Sequence, residues 1–438
     1  MKNDTMEEPP GRSGQLFVLH NPRLQIPGGT EGYSTVPKMV RKLRPEAPVH
    51  CLRPHVIEAA AKLFLANFPG EVMYSVKSNP EPLVLKYLWA SGIRHFDVAS
   101  VPEIDLVRKL LPQAEMCFMH PIKSREAIKK AYFEYGIRDF SLDSSEELQK
   151  ILEMTGSARD LGLHVRLGLP KGTAAHDLSG KFGIAPEAAP ALLKVARKVG
   201  KRLGLCFHVG SQCMDPESYR AAIKIVGEVL EKSKVKLDVL DIGGGFPSSY
   251  PGLVPAALDQ YFSTICDAVK SLPIGKDCKL WCEPGRALVA EGGSVVVRVE
   301  LRKNDALYIN DGTYGSLFDG GFPGLVYPVR LIRQSGRTTK KLAGFRFFGP
   351  TCDSLDAMKG PFMLPENVVE GDWIEIGQLG AYGATFQTKF NGFHSDHTVE
   401  VWDNPIMSMY GFVDKKPLLG FAETPMARSG QQPSLIEA

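Results

Sequence analysis

The chain has 438 residues, 44% of them hydrophobic and 23% charged, with a formal net charge of +3. That length exceeds what one hydrophobic core usually organises, so two domains are the default. The charge is too small to argue for nucleic acid or an anionic membrane as partner, and no apolar run reaches the ~20 residues of a membrane span.

The first residues, MKNDTMEEPPGRSG, carry acids and prolines but no apolar stretch. They read as a tail rather than a secretory signal, and residues 1–36 are set apart on that ground. Eight cysteines are scattered along the chain with no CxxC pair. Cys278 and Cys282 lack a second pair to complete a zinc site, and His394 and His397 have no cysteines nearby, so no metal is expected. A reduced, cytoplasmic protein is the simplest expectation.

Residues 37–48 read as a basic, proline-punctuated connector, and 54–68 as a helix with Pro54 at its start and Val56, Ala59, Ala60, Leu63 and Phe64 on one face. Residues 71–76 form a short apolar strand that stops at Lys77, with Ser-Asn-Pro marking the break. Taken alone, a strand-end lysine is more often a cation that snorkels into solvent. A desolvated lysine instead gives up its proton readily, which suits Schiff-base chemistry.

A repeating pattern begins there. Strands are expected near 71–76, 94–98, 115–119, 139–142, 162–167, 204–209, 237–242 and 279–282, with helices between them at 103–111, 125–135, 145–154, 186–199, 216–232 and 255–271. Eight alternations predict a (β/α)8 TIM-like barrel over 37–290, whose chemistry collects where the strands end. Those ends carry Lys77, Asp97, His120, Asp143, Arg166, His208, Gly243-Gly244-Gly245 and Glu283. Residues 170–181, rich in Gly, Ser, Thr and Lys, read as a mobile loop over the mouth. Beyond 290 helical periodicity fades, and strands near 294–302, 306–310, 326–333, 342–348, 372–377 and 398–402 predict an all-β domain over 291–438.

Several segments carry candidate chemistry. Asp241-Ile-Gly-Gly-Gly-Phe-Pro247 follows a strand and suits either an anion-wrapping loop or a plain glycine turn; it is neither a Walker A loop nor a Rossmann fingerprint. Glu283-Pro-Gly-Arg286 offers a carboxylate for a protonated ring nitrogen and a guanidinium for a phosphate, or a structural ion pair. His208 sits beside a Gly-Ser turn, able to stack on a flat ring or to be a satisfied core histidine. Cys352 lies in a polar turn beside Asp353, which suits a reactive thiol or an idle one. Asp311, Asp319 and Tyr382 lie in further glycine-rich turns.

Together YSVKSNP, FDVAS, FHVGSQ, DIGGGFP, EPGR and GPTCDSLD, in that order, resemble the fold-type III pyridoxal-phosphate decarboxylases acting on ornithine, lysine, arginine or diaminopimelate, with the ornithine enzymes the nearest in pattern. The resemblance spans about residues 40 to 410 and is completed by YINDGTYGS and GAYGATF. It implies pyridoxal 5'-phosphate on Lys77, Glu283 at the ring nitrogen, and His208 on the ring face. Ser211, Gly243, Gly244, Gly245, Arg286 and Tyr382 would contact the phosphate, with Asp97 near the lysine and Arg166 near the ring. It also implies a head-to-tail homodimer in which Cys352, as proton donor, and Asp353 reach the partner's barrel, with a Lys181–Asp356 bridge between subunits. Asp319 and Asp353 would clamp a substrate ammonium, which disfavours diaminopimelate. The loop before Asp319 is shorter than in many ornithine decarboxylases. A racemase on the same fold would need a tyrosine base where this chain has Cys352-Asp353.

Overall fold

The computed structural model describes residues 31–170 and 180–412. The expected loop over 170–181 therefore lies mostly outside the described residues, as do residues 1–30 and 413–438.

The chain enters with β1 (Gly32–Tyr33), α1 (Val36–Leu43), β2 (Val49–Leu52) and α2 (Pro54–Asn67). Eight parallel strands follow: β3 (Glu71–Ser75), β4 (His95–Val98), β5 (Glu115–Phe118), β6 (Asp139–Leu142), β7 (Gly162–Arg166), β8 (Arg202–Cys206), β9 (Val239–Asp241) and β10 (Lys279–Cys282). They close into a barrel in the order β10-β3-β4-β5-β6-β7-β8-β9. The helices between them are α3 (Pro82–Ala90), α4 (Val101–Leu110), α5 (Arg125–Phe133), α6 (Ser145–Met154), α7 (Ala189–Val199), α8 (Glu217–Ser233) and α9 (Leu258–Lys270). Serine caps explain three of their starts: the side chains of Ser100, Ser124 and Ser144 accept from the backbone N–H of Glu103, Ala127 and Glu147.

Alternation along each strand sorts the barrel into two surfaces. Tyr74, Phe96, Phe118, Phe140, Val165, Leu205 and Leu240 pack outward against the helices. Met73, Cys117, Met119, Cys206, Val239 and Trp281 fill the interior. The strand ends just above that interior carry Asp97, Arg166, Asp241 and, past β10, Glu283, which is how eight local strands come to share one polar mouth.

After β10 come α10 (Arg286–Val289), β11 (Gly293–Lys303), β12 (Ala306–Ile309), α11 (Phe318–Gly321), β13 (Val329–Ile332), β14 (Leu342–Phe348), β15 (Ala357–Pro365), β16 (Trp373–Ile376) and β17 (Thr398–Val401). They form one sheet ordered β1-β17-β2-β11-β12-β14-β15, with β13 and β16 joined through β11. The long strand β11 serves two cores: Val295, Val297 and Val299 face one, and Val296 faces the other with Met39, Val40 and Val399.

Two boundaries differ from the sequence reading. Residues 32–52 pair into the second domain, because β2 lies antiparallel to β11 and parallel to β17, so the barrel begins after β2 rather than at 37. Residues 32–36 are ordered, with the Thr35 side chain accepting from the N–H of Lys38 at the head of α1. A buried charge cluster then locks the domains together. Arg53 and Arg330 both pair with Glu375, at 2.7 and 2.5 Å, and both also pair with Asp403, at 3.0 and 3.1 Å.

Candidate active site

A single 3-10 turn, Val76–Ser78, carries Lys77 off the end of β3. Its Nζ lies 3.1 Å from Oδ2 of Asp97, and the Ser75 hydroxyl donates to that same oxygen at 2.9 Å. The lysine side chain is hemmed in by protein yet keeps 44% of its exposure, as expected of a group opening into a concave mouth. Burial pulls its pKa down, but Asp97 and Glu283 outweigh burial and hold the ammonium above the ordinary lysine range. That corrects the expectation of a neutral amine: Lys77 is a charged group ion-paired with Asp97.

Glu283 and Asp241 stand side by side on adjacent strands, since Asp241 is in register with Trp281 two residues before Glu283. Both are buried, and Asp241 is wholly so, with Oδ1 taking the Gly243 N–H at 2.8 Å and Oδ2 left without a partner. Burial first, and then Asp241 and Asp97, push the Glu283 carboxyl well above the carboxylate range. Such a carboxyl stays protonated until a cation arrives, and a protonated ring nitrogen is such a cation. His208 is driven the other way. Burial, Arg166 and Lys77 lower it well below the usual imidazole value, so the ring is neutral, with Nδ1 accepting from the Gly210 N–H at 3.0 Å. Arg166 closes this side at the end of β7, its guanidinium 5.6 Å from the Phe182 ring centre.

The glycine loop after β9 packs where side chains cannot. Gly243 has φ +67°, and a Cβ there would fall 2.0 Å from the Phe207 carbonyl; one at Gly244 would fall 2.7 Å from the Glu283 carbonyl and 3.1 Å from His208 Nε2. The carbonyls of Gly244 and Gly245 are tied back by the Tyr219 hydroxyl and the Cys213 N–H. Their own N–H groups donate to no described residue, which leaves them for an anion. Ser211 is half-buried just past the His208 turn. Arg286 is 5% exposed and donates to the Tyr250 hydroxyl at 2.7 Å and to Asp319 at 3.1 Å, while its Nε has no partner. Tyr382, held at φ +58° with its N–H on the Ser78 carbonyl, lays its ring 4.9 Å from that guanidinium. Free amides beside the buried Arg286 guanidinium, and a Glu283 carboxyl raised above the carboxylate range, fit a phosphate joined to a protonated heterocycle.

The structure thus gathers Lys77, Asp97, Arg166, His208, Ser211, the three glycines, Glu283, Arg286 and Tyr382 at one mouth. It does not bring Cys352 or Asp353 there. Cys352 is exposed on the turn after β14, its N–H on Asn391, and among the described residues neither it nor Asp353 bonds to a barrel site residue. Asp353 accepts from the Tyr314 hydroxyl and the Leu355 N–H, which hold its carboxyl below the usual range. Asp356 is buried and takes four hydrogen bonds from Thr313 and Thr351 of its own chain, so its carboxylate is already satisfied; Lys181 lies over Phe182 instead. Asp311 accepts from the N–H groups of Gly312 and Ser316 and is raised by burial to about 6. It shapes its turn. Asp241, Tyr250 and Tyr314 were not singled out from sequence for their own side chains. For Asp241, the strand register beside Glu283 was the available signal.

Residues 55–290 match the family described as pyridoxal-dependent decarboxylase, pyridoxal binding domain. The chain belongs to the pyridoxal-dependent decarboxylases. Among relatives of this decarboxylase chain is the lysine/ornithine decarboxylase of Selenomonas ruminantium, 32% identical over 347 residues that cover 76% of this chain and 84% of that protein. Antizyme inhibitor 2 of Xenopus laevis is 31% identical over 365 residues, 75% of each chain. In structure, the lysine/ornithine decarboxylase of Vibrio vulnificus complexed with cadaverine superposes with a TM-score of 0.72 at 31% identity, covering 83% of this chain and 97% of that one. The family is pyridoxal-dependent, and the mouth described above contains groups that suit that cofactor.

Proposed function

We propose that this protein decarboxylates a basic amino acid, with L-ornithine to putrescine plus CO2 the reaction its residues suit best, and that it works as a homodimer with shared sites. One observation carries the reading: Lys77 stands at the barrel mouth against Asp97, with Glu283 close enough to act on its charge.

Pyridoxal phosphate, when bound, supplies the electron sink for the pair left on the substrate Cα as CO2 departs. The protein's residues do the rest. Lys77 would hold the cofactor through its Nζ. Glu283 would pair with the ring nitrogen and keep it protonated, in a site where burial makes such a charge pair strong. His208, neutral, offers a flat face without adding charge. Arg286 and the free amides of Gly244 and Gly245 would hold the phosphate dianion. Cys352 of a second subunit gives its thiol proton to Cα and recovers one from solvent, and Asp353 holds the distal ammonium. The exposed position of Cys352 beside the half-buried Asp353, with Leu355 at 73% and Phe390 at 44% exposure, supports a partner surface at this turn.

Ornithine and lysine differ by one methylene, which a pocket discriminates by only ~1–3 kcal/mol. The test is CO2 release from L-ornithine, L-lysine, L-arginine and meso-diaminopimelate at matched concentrations, with Lys77→Ala as control. Ornithine is expected among the two best substrates; its absence from them would sink the substrate assignment. A second reading, a non-catalytic regulator, is favoured only by the antizyme inhibitor relative. It requires that no cofactor absorbance be lost when Lys77 is replaced.

A further inference from the structure

His120 and Asp143 follow β5 and β6 at the barrel mouth. His120 is held from three sides. The Ile122 N–H donates to its Nδ1 at 3.1 Å. The buried Lys123 ammonium donates to the His120 carbonyl at 2.9 Å and to the Ser141 carbonyl of β6 at 2.5 Å, and it pairs with Glu147 of α6 at 3.0 Å. The imidazole meets the Phe182 ring edge-on, with centres 5.2 Å apart. Burial first, and then Lys123, with Lys77 and Arg166 behind it, lower its pKa below the usual imidazole value. A neutral imidazole whose Nδ1 accepts carries its proton on Nε2. That Nε2–H meets no acceptor among the described residues and is not sealed in by protein.

The wall behind His120 is fixed as well. Asp143 accepts the Gly183 N–H at 2.8 Å, and Gly183, at φ +101°, lies so near Gly168 that a Cβ would fall 2.5 Å from the Gly168 Cα. This holds the Phe182 ring against both His120 and the Arg166 guanidinium. In the closed order β10-β3-β4-β5-β6-β7-β8-β9, β5 stands four strands from β9 in either direction. His120 is therefore across the mouth from the glycine loop, and it follows β5 by two positions just as Lys77 follows β3. Pyridoxal phosphate carries its phosphate arm and its 3-oxygen on the two ring carbons that flank the one bearing the aldehyde. With the aldehyde at Lys77 and the phosphate at the glycine loop, the oxygen would look toward the opposite wall.

We propose that His120 is a further residue of the cofactor site, its Nε2–H donating to the 3-oxygen of pyridoxal phosphate. A hydrogen bond to an ionised oxygen is stronger than one to a neutral oxygen, so this donor favours the ionised form. An uncharged donor does so without adding to the charge of Lys77 and Arg166 at the mouth. The inference rests on pyridoxal phosphate as cofactor and not on which amino acid is decarboxylated.

Apoprotein is titrated by calorimetry with pyridoxal phosphate and with its 3-deoxy analogue, for the unsubstituted chain, His120→Phe and His120→Gln, and the absorbance of each cofactor-loaded protein is recorded. Phe keeps a ring against Phe182 but has no donor, whereas the Gln amide nitrogen reaches where Nε2 stood. His120→Phe is expected to weaken pyridoxal phosphate by about tenfold and the 3-deoxy analogue by less than about twofold, as for loss of one hydrogen bond to a charged group. Its bound cofactor should also shift from the long-wavelength band of the ionised oxygen toward the short-wavelength band of the neutral one. His120→Gln should keep both the affinity and the band. Equal weakening of the two cofactors by His120→Phe overturns the proposal, because the imidazole is then only part of the wall. So does an unchanged affinity for pyridoxal phosphate in that variant, or a Gln variant no better than Phe. If His120→Phe does not fold, His120→Asn takes its place, since it keeps an acceptor for the Ile122 N–H and is too short to bring a donor where Nε2 stood. CO2 release enters none of these measurements, so failure of the decarboxylase reading is seen separately, in the substrate assay.

Discussion

The Lys77 ammonium and the Asp97 carboxylate meet at 3.1 Å across β3 and β4, and the carboxylate is held on its other side by the Ser75 hydroxyl. The pair is a consequence of register: Ser75 lies opposite Asp97, and the turn that follows lifts Lys77 directly over it.

Asp97 therefore holds the proton on the Lys77 amine. The folded-state lysine is raised above 10.5, so its ion pairing contributes stability in full below that pH, lost as pH climbs through the folded value. In Asp97→Asn, burial prevails and the amine deprotonates earlier. The pH profile of cofactor capture, read as absorbance growth after mixing with apoprotein, should move down by about 1 pH unit or more.

Glu291 is buried without a cation and accepts from the Ser408 hydroxyl and the Met409 N–H, tying residues 408–410 to the turn after α10. Burial raises its carboxyl from 4.5 to about 7. Between those values the folded chain keeps a proton that the unfolded chain has lost, so stability falls as pH rises across that window, by on the order of 3 kcal/mol once complete. Glu291→Gln should flatten that stretch of the pH–stability curve measured by urea unfolding.

Glu375 is wholly buried between two arginines. Removing one member of such a group leaves the others buried and unbalanced, so Glu375→Gln should cost about 3–5 kcal/mol in chemical denaturation. The loss should exceed that of an exposed pair such as Arg346–Asp305, whose removal is worth about 1 kcal/mol or less.

If the cysteine turn serves a partner's barrel, Lys77→Ala and Cys352→Ala are each inactive alone but complement when mixed. Random re-pairing makes half the dimers mixed, each with one intact site, so about a quarter of full activity should return. No recovery on mixing, with dimers verified by ultracentrifugation, would place both residues in one subunit's site.

Much of this molecule is local enough to read along the chain. The eight barrel strands fell close to the expected segments because each is a short apolar run with polar punctuation, and parallel neighbours follow one another in sequence. The strand-end chemistry followed, since the end of a strand predicts the mouth. What resisted was non-local or disguised. Strand β2 pairs with β11 and β17, and no periodicity within four residues announces partners so distant. Strand β15 contains Gly360, Pro361 and Pro365, which read as turn residues; the β14 pairing overrides them. Helix α1 looked like a basic connector because its apolar face is only Val36, Met39 and Val40.

The sequence by itself determined the barrel, the all-β second domain and the place of Lys77 at a strand end, because strand-ends and their order are properties of neighbouring residues. Only the tertiary structure decided how the charges divide. It set Asp241 beside Glu283, where it helps push the Glu283 carboxyl above its usual range, turned Asp356 inward onto two threonines, and seated Asp319 on Arg286. An aspartate's type is written in the chain, but its role depends on which partners folding brings within 3 Å or so, and those partners come from other strands.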